Sequence, residues 1–143
     1  HCFYIGRGFM YPAALEGALK LKEISYVHAE GYHAAELKHG PIALLEERVP
    51  VIAAVPRAPD QGRTIANMQE CRARKAPVFA VATEGDSAVD EHADACIRIP
   101  PCADFLNPVP VVIAEQLLAS HVARLRGCEI DQPRNLAKSV TVE

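Results

Sequence analysis

The sequence predicts an α/β fold with three layers, in which helices cover both faces of a sheet. Four short apolar runs with strand character lie at residues 2–5, 49–55, 78–82 and 96–99. Segments with helical spacing of apolar residues separate these runs, at residues 13–27, 60–75 and 109–126. Strands that alternate with helical segments favour parallel pairing through crossover helices. The 143 residues suffice for one domain with a single core.

The first strand leads through a glycine turn into the first helix. Gly6 and Gly8 follow the strand, and Pro12 suits the first turn of a helix. Two glycines here match part of a dinucleotide-binding fingerprint, but Tyr11 occupies the place of the third, so a nicotinamide cofactor is not expected. The turn has two interpretations: its N–H groups bind an anion, or its glycines allow close packing of strand and helix.

Two later segments lack a clear period. Residues 29–41 are irregular and contain a short helical run, which Gly40 and Pro41 must end because proline cannot continue a helix. The last 15 residues, 129–143, show neither the helical nor the strand period. We interpret them as a tail.

Charge and composition narrow the range of functions. The formal net charge of -3 argues against a general nucleic-acid-binding protein, which needs surplus lysine and arginine. Five cysteines without a C-x-x-C pair indicate free thiols in a reducing cytosol rather than disulfides or structural zinc. The sequence contains neither an apolar run of about 18 residues nor a secretory signal. Because the chain enters a strand directly after His1, we expect it to be a piece of a longer protein.

The first helix carries a charged stripe. Glu16, Lys20 and Glu23 lie within about 60° of one another around the helix axis. Much of the remaining circumference is apolar, which favours a stripe that faces a cleft or an interface. An exposed face with ordinary ion pairs explains the pattern equally well. Two carboxylates beside a lysine are also what proton transfer next to a carbonyl requires, since neighbouring charges and burial can make one carboxylate a base.

His39 ends the irregular segment and is a candidate acid or base. The same run holds His33 and Glu36, but the two histidines would lie about 120° apart on a helix, so no metal site is expected. Histidine is the side chain whose charge ordinarily changes near neutral pH, which suits it to proton transfer. A capping or surface role is the alternative.

The tail holds Arg134 and Lys138, four residues apart. A lysine can form a Schiff base with a ketose carbonyl if burial or neighbouring cations lower its pKa, and a mobile segment can deliver it to a cleft. A solvated or docking segment is the alternative interpretation.

Three blocks of sequence resemble one family: GRGFMYPAALEGALKLKEISYVHAEGY at 6–32, ELKHGPIAL at 36–44 and DQPRNLAKSVTVE at 131–143. They resemble the second sugar-isomerase (SIS) domain of the glucosamine-fructose-6-phosphate aminotransferase family. Residues 45–127 match only as a generic α/β pattern. The resemblance implies a five-stranded parallel sheet of flavodoxin-like, doubly wound type, with the second SIS domain at residues 1–127 and a C-terminal catalytic tail at residues 128–143.

The resemblance also implies residue roles. Glu23 would be the general base that moves a proton between C1 and C2, His39 would open the furanose ring in the neighbouring subunit's site, and Lys138 would hold the open-chain ketose as a Schiff base. Three more residues would form a supporting ion network, namely Glu16, Lys20 and Arg134. Ala35 stands where the family pattern has glycine, a departure that leaves these residues in place.

The implied reaction converts fructose 6-phosphate to glucosamine 6-phosphate in a cytoplasmic protein, without a cofactor. The implied partners are the sugar phosphate, a first SIS domain and a glutaminase domain of the parent chain, and a second subunit; neither nucleic acid nor a membrane is expected. The S-x-S-x-x-T phosphate clamp of the first SIS domain is absent, and Cys2 is not the glutaminase nucleophile, so we expect the fragment alone to be inactive. Two alternatives are a non-catalytic phosphosugar-binding module and a related amino-sugar deglycase or isomerase.

Overall fold

Five parallel strands form one sheet in the computed structural model, which describes residues 1–136. The strands are β1 (Cys2–Gly6), β2 (Ala29–His33), β3 (Val51–Ala54), β4 (Val78–Thr83) and β5 (Ala95–Ile99). Their order across the sheet is β2-β1-β3-β4-β5, and every neighbouring pair is parallel. The structure confirms the predicted three-layer α/β fold with a five-stranded parallel sheet.

Within residues 1–136, three helices and four short 3₁₀ helices cover the two faces of the sheet. The helices are α1 (Met10–Ser25), α2 (Gln61–Arg72) and α3 (Pro108–Leu125). The 3₁₀ helices are Ala34–His39, Pro41–Leu44, Ser87–His92 and Asp104–Leu106. Helices α1 and α3 pack against each other on one face, and α2 packs on the other. None of the helices in residues 1–136 has the length and apolar character to cross a membrane.

The alternation of side chains along β1 divides the core in two. Cys2 and Tyr4 point into the core shared with α1 and α3, whereas Phe3 and Ile5 point into the core beneath α2. All four side chains are buried. A strand that is apolar on both faces is typical of the centre of a parallel sheet.

Strand β2 corrects the interpretation of residues 29–41 as irregular. Its sequence, AEGYH, lacks a β-branched run, so local preference does not predict a strand. Tertiary packing produces it, because β2 pairs with β1 and lies under α1. Gly31 permits that approach, since a Cβ there would lie 2.8 Å from the Cα of Leu15. The predicted short helical run is the 3₁₀ helix Ala34–His39, which ends at Gly40.

The turn after β1 packs strand against helix. A Cβ on Gly6 would lie 2.2 Å from the backbone oxygen of Met10, which is closer than any side chain tolerates. Gly8 has a φ of +50°, in the left-handed region that glycine adopts readily. Of the two interpretations of this turn, close packing is the one that these contacts support.

Candidate functional site

The charged stripe of α1 forms a connected ion network. The Nζ of Lys20 lies 2.7 Å from Oε2 of Glu23 and 3.5 Å from Oε1 of Glu16. All three side chains are partly exposed, with exposed fractions of 38% for Glu16, 29% for Lys20 and 27% for Glu23. The hydrogen bond to Glu23 raises the pKa of Lys20, so its ammonium group stays charged.

Small residues on the opposite side of α1 force the stripe outward. The buried positions include Ala13, Ala14, Gly17 and Ala18, which let the helix approach the sheet and α3 closely. With this side buried, the three charged side chains remain at the surface of the layer, where a ligand or a neighbouring domain can reach them.

The chain that follows α3 returns to the C-terminal end of α1. Nε of Arg126 donates a hydrogen bond to the backbone oxygen of Ser25 at 2.9 Å. Further along, the backbone N–H of Arg134 donates to the hydroxyl of Tyr26 at 2.8 Å, and the guanidinium carbon lies 4.2 Å from the centroid of the Tyr26 ring. Tyr26 follows Glu23 by three positions, so Arg134 meets the end of α1 that carries Glu23. Lys138 lies outside the described residues.

His39 belongs to a different part of the domain. Helix α1 runs from the carboxyl end of β1 to the amino end of β2, so Glu23 lies towards the amino edge of the sheet. The 3₁₀ helix Ala34–His39 follows the carboxyl end of β2, and its buried residues join the core beneath α2. His39 itself is exposed. The described residues therefore place Glu16, Lys20 and Glu23 along α1 and bring the Arg134 segment to the end of the helix that follows Glu23, but they do not bring His39 there.

Comparison with known proteins agrees with this architecture. The SIS domain model matches residues 1–125. A protein of Sphingobium yanoikuyae named glutamine–fructose-6-phosphate aminotransferase (isomerizing) is 55% identical over 141 residues, which are 98% of this chain and 90% of that protein. The chain belongs to the SIS-domain family of glutamine–fructose-6-phosphate aminotransferases.

Longer relatives contain this SIS domain as one part. A protein of the same name from Chlorobaculum tepidum is 54% identical over 143 residues, which cover all of this chain and 23% of the relative. Among solved structures, the C-terminal domain of glucosamine-fructose-6-phosphate aminotransferase from Francisella tularensis superimposes with a TM-score of 0.84 and 42% identity, covering 92% of this chain and 37% of that one. The SIS domain corresponds to the C-terminal part of its longer relatives.

A buried carboxyl group beneath the stripe was missed by the sequence analysis. Glu115 of α3 is fully buried, and neither side-chain oxygen has a hydrogen-bond partner within residues 1–136. Burial raises the pKa of Glu115 to about 9, and the nearby Glu16 carboxylate adds to the shift. Glu115 lies four positions from both Val111 and Ala119 on the buried side of α3. That helical spacing is the signal that would have revealed it.

Tyr4 accompanies Glu115 in the same layer of the SIS domain. Its hydroxyl is also buried without a partner in the described part of the chain, and burial raises its pKa above the ordinary value. Both side chains press on Gly17 of α1: a Cβ there would lie 2.5 Å from Oε2 of Glu115 and 2.8 Å from Cε1 of Tyr4. Three elements, β1, α1 and α3, thus meet at Gly17, next to Glu16.

An apolar cavity of about 430 Å³ lies between the sheet and the α1–α3 layer. Leu21, Ile52, Phe79 and Leu118 are among the residues that line it. A sugar phosphate needs charged and hydrogen-bonding groups for its phosphate and hydroxyls. We therefore assign the candidate site of this SIS domain to the charged end of α1 rather than to the cavity.

Proposed function

We propose that this SIS domain works in the isomerase half of an enzyme that converts fructose 6-phosphate to glucosamine 6-phosphate. The observation that carries the proposal is that α1 bears the Glu16–Lys20–Glu23 network and also holds the Arg134 segment at Tyr26, three residues after Glu23. This arrangement combines paired carboxylates, a cation and the chain segment that precedes Lys138. The relatives' names supply fructose 6-phosphate and an isomerizing amino transfer, and the name of the Francisella tularensis structure adds glucosamine.

Each residue has a chemical role in the proposal. The amine of Lys138 attacks the C2 carbonyl of the open-chain ketose and forms a Schiff base with loss of water. Ammonia supplied by the glutaminase domain then displaces the lysine amine from C2, which frees Lys138 and leaves the C2 imine of the sugar. Glu23 takes the proton from C1 of this imine and returns it at C2 while the C1 hydroxyl becomes the aldehyde, and Lys20 holds that carboxylate in position through its 2.7 Å hydrogen bond. Glu16 completes the ion network, and Arg134 holds the tail at the end of α1 through its contacts with Tyr26. No cofactor is needed, because the imine itself draws electrons from the adjacent carbon.

His39 takes part through a second subunit in this proposal. It is exposed at the end of its 3₁₀ helix, on the α2 side of the sheet, so it is accessible to a neighbouring molecule. There it would open the furanose ring. The active enzyme would therefore be a homodimer. In this proposal it is cytoplasmic, and its parent chain also holds a first SIS domain and a glutaminase domain.

Borohydride trapping tests the proposal in the full-length parent protein. Reduction in the presence of fructose 6-phosphate should attach the sugar covalently to Lys138, and Lys138→Ala should abolish the label. Glu23→Gln should retain the label but lose exchange of the C1 proton with deuterated water, by on the order of 10²- to 10⁴-fold.

Two outcomes would count against the proposal. A label that persists unchanged in Lys138→Ala would refute the Schiff-base assignment. A protein that binds fructose 6-phosphate but gives neither label nor proton exchange would be a regulatory phosphosugar-binding module instead.

A further inference from the structure

Tyr26 ends α1 in an uncommon conformation. Its φ of 58° and ψ of 21° place it in the left-handed region, and its backbone N–H donates to the oxygen of Lys22 at 3.2 Å. This cap ends the helix at Ser25. Glycine is the usual residue at such a position because a side chain is disfavoured there. The contacts of the Tyr26 side chain explain why a tyrosine occupies this position.

The Tyr26 side chain holds one residue of the tail in two ways. Its hydroxyl accepts the backbone N–H of Arg134 at 2.8 Å, and its ring lies under the Arg134 guanidinium with 4.2 Å between carbon and centroid. The first contact fixes the main chain and the second fixes the side chain. Both contacts join residues 108 positions apart in the sequence.

A second anchor lies one residue earlier on α1. The backbone oxygen of Ser25 accepts Nε of Arg126 at 2.9 Å and faces the Sγ of Cys128 at 3.8 Å. The polypeptide after α3 is thus attached at Ser25 where it begins and at Tyr26 further along. Between these anchors it contains neither helix nor strand.

We propose that Tyr26 is a positioning residue for the reaction, which clamps the tail at Arg134 and so delivers Lys138 to the carboxylate of Glu23. The inference rests on the proposed function. Tyr26 lies three positions after Glu23, and Arg134 lies four positions before Lys138. The clamp therefore joins the segment that carries the Schiff-base amine to the helix that carries the base.

Core packing does not account for the Tyr26 ring. It is half-buried and belongs to neither of the two clusters of buried apolar side chains. Removal of its hydroxyl should therefore leave the core intact and loosen the tail. This makes a functional test practicable, because a loss of activity can be separated from a loss of folding.

The test compares three variants of the full-length parent protein. Tyr26→Phe removes the acceptor for the Arg134 N–H but keeps the ring, and Tyr26→Leu removes both contacts. Tyr11→Phe is the matched control, because Tyr11 is also a partly buried tyrosine of α1 but contacts His33 at the other end of the helix. The readouts are the rate of borohydride trapping at Lys138 under saturating fructose 6-phosphate, kcat, and KM.

We expect Tyr26→Leu to slow trapping and kcat by on the order of 10²-fold, since small misplacements of reacting groups have effects of this size. KM should change far less, because the clamp acts on the amine rather than on the phosphate. Tyr26→Phe should show a smaller loss, and Tyr11→Phe should match the wild type. Amide exchange at Arg134 should accelerate in both Tyr26 variants.

The outcomes separate this inference from the proposed function. If wild-type protein is not labelled at Lys138, the proposed function fails and the positioning role falls with it. If the wild type is labelled and folded Tyr26→Leu is labelled equally fast, only the positioning role is overturned. Should Tyr26→Leu not fold, Tyr26→Phe decides the question: trapping at the wild-type rate, with unchanged amide exchange at Arg134, overturns the clamp.

Discussion

Two acidic regions meet α1 from opposite sides and have opposite surroundings. On the outer side, Glu16 and Glu23 are partly exposed and flank Lys20. On the inner side, Glu115 is fully buried, and no cation contacts it within the described residues. The outer carboxylates can exchange protons with a ligand, whereas Glu115 is held in its neutral form because burial raises its pKa to about 9. The same chemical group thus serves different purposes according to its environment.

Gly17 lies where the two regions meet, and its lack of a side chain lets them approach each other closely. It directly follows Glu16 in α1, and the Glu115 carboxyl and the Tyr4 ring occupy the space that a Cβ at this position would need. Any side chain at this position would have to displace one or both of them. The geometry of the outer stripe therefore depends on a contact in the core.

The largest effect on stability should come from the protonation of Glu115. Its ordinary pKa is 4.5 and its pKa in the folded protein is about 9, so between these pH values the native state keeps a proton that the unfolded chain has lost. The free energy of unfolding should therefore fall as the pH rises through this window. Glu115→Gln, which stays neutral, should remove this part of the slope.

Urea denaturation at a series of pH values from 5 to 9 measures the difference between the two proteins. All other titrating groups are common to both and cancel in the comparison. Equal slopes in wild type and Glu115→Gln would show that Glu115 is ionised in the folded state.

An intermediate effect is expected for Gly17→Ala. The added Cβ would lie 2.5 Å from Oε2 of Glu115, so the Glu115 carboxyl, the Tyr4 ring or α1 itself must shift, at a cost of about 1–3 kcal/mol in the free energy of unfolding. Gly62→Ala is the matched control, because it is also a helical glycine but has no atom within 4 Å of the new Cβ. It should be neutral or stabilise by up to about 1 kcal/mol. Equal denaturation midpoints for the two variants would contradict the close packing at Gly17.

The smallest effect is expected on the outer side. Glu16→Gln removes the 3.5 Å ion pair with Lys20, which is more than a quarter exposed, so the loss should be about 0.2–1 kcal/mol. It also removes the charge that adds to the raised pKa of Glu115, so the free energy of unfolding should stop falling at a lower pH than in the wild type. Urea denaturation at two salt concentrations checks the first part, because salt should reduce the loss. A loss of more than about 1 kcal/mol would mean that the Glu16–Lys20 pair is as well shielded from solvent as the Glu115 carboxyl.

Local patterns predicted most of the fold. The apolar runs and helical periods located four of the five strands and all three helices, because those elements bury whole faces that leave a periodic trace. Strand β2 escaped because its formation depends on pairing with β1 and on the space that Gly31 leaves for α1. Glu115 was missed for a different reason. Its position on the buried side of α3 was readable, but whether a buried carboxyl finds a partner depends on other elements.

The sequence by itself determined that Glu16, Lys20 and Glu23 share one edge of a helix, because helical geometry acts over a few residues. Only the tertiary structure decided that the tail returns to Tyr26, that His39 lies away from the stripe, and that Glu115 stays without a partner among the described residues. Each of these depends on residues far apart in the chain, whose distances are set by the packing of the whole sheet and both helical layers. Local preference carries no information about such distances.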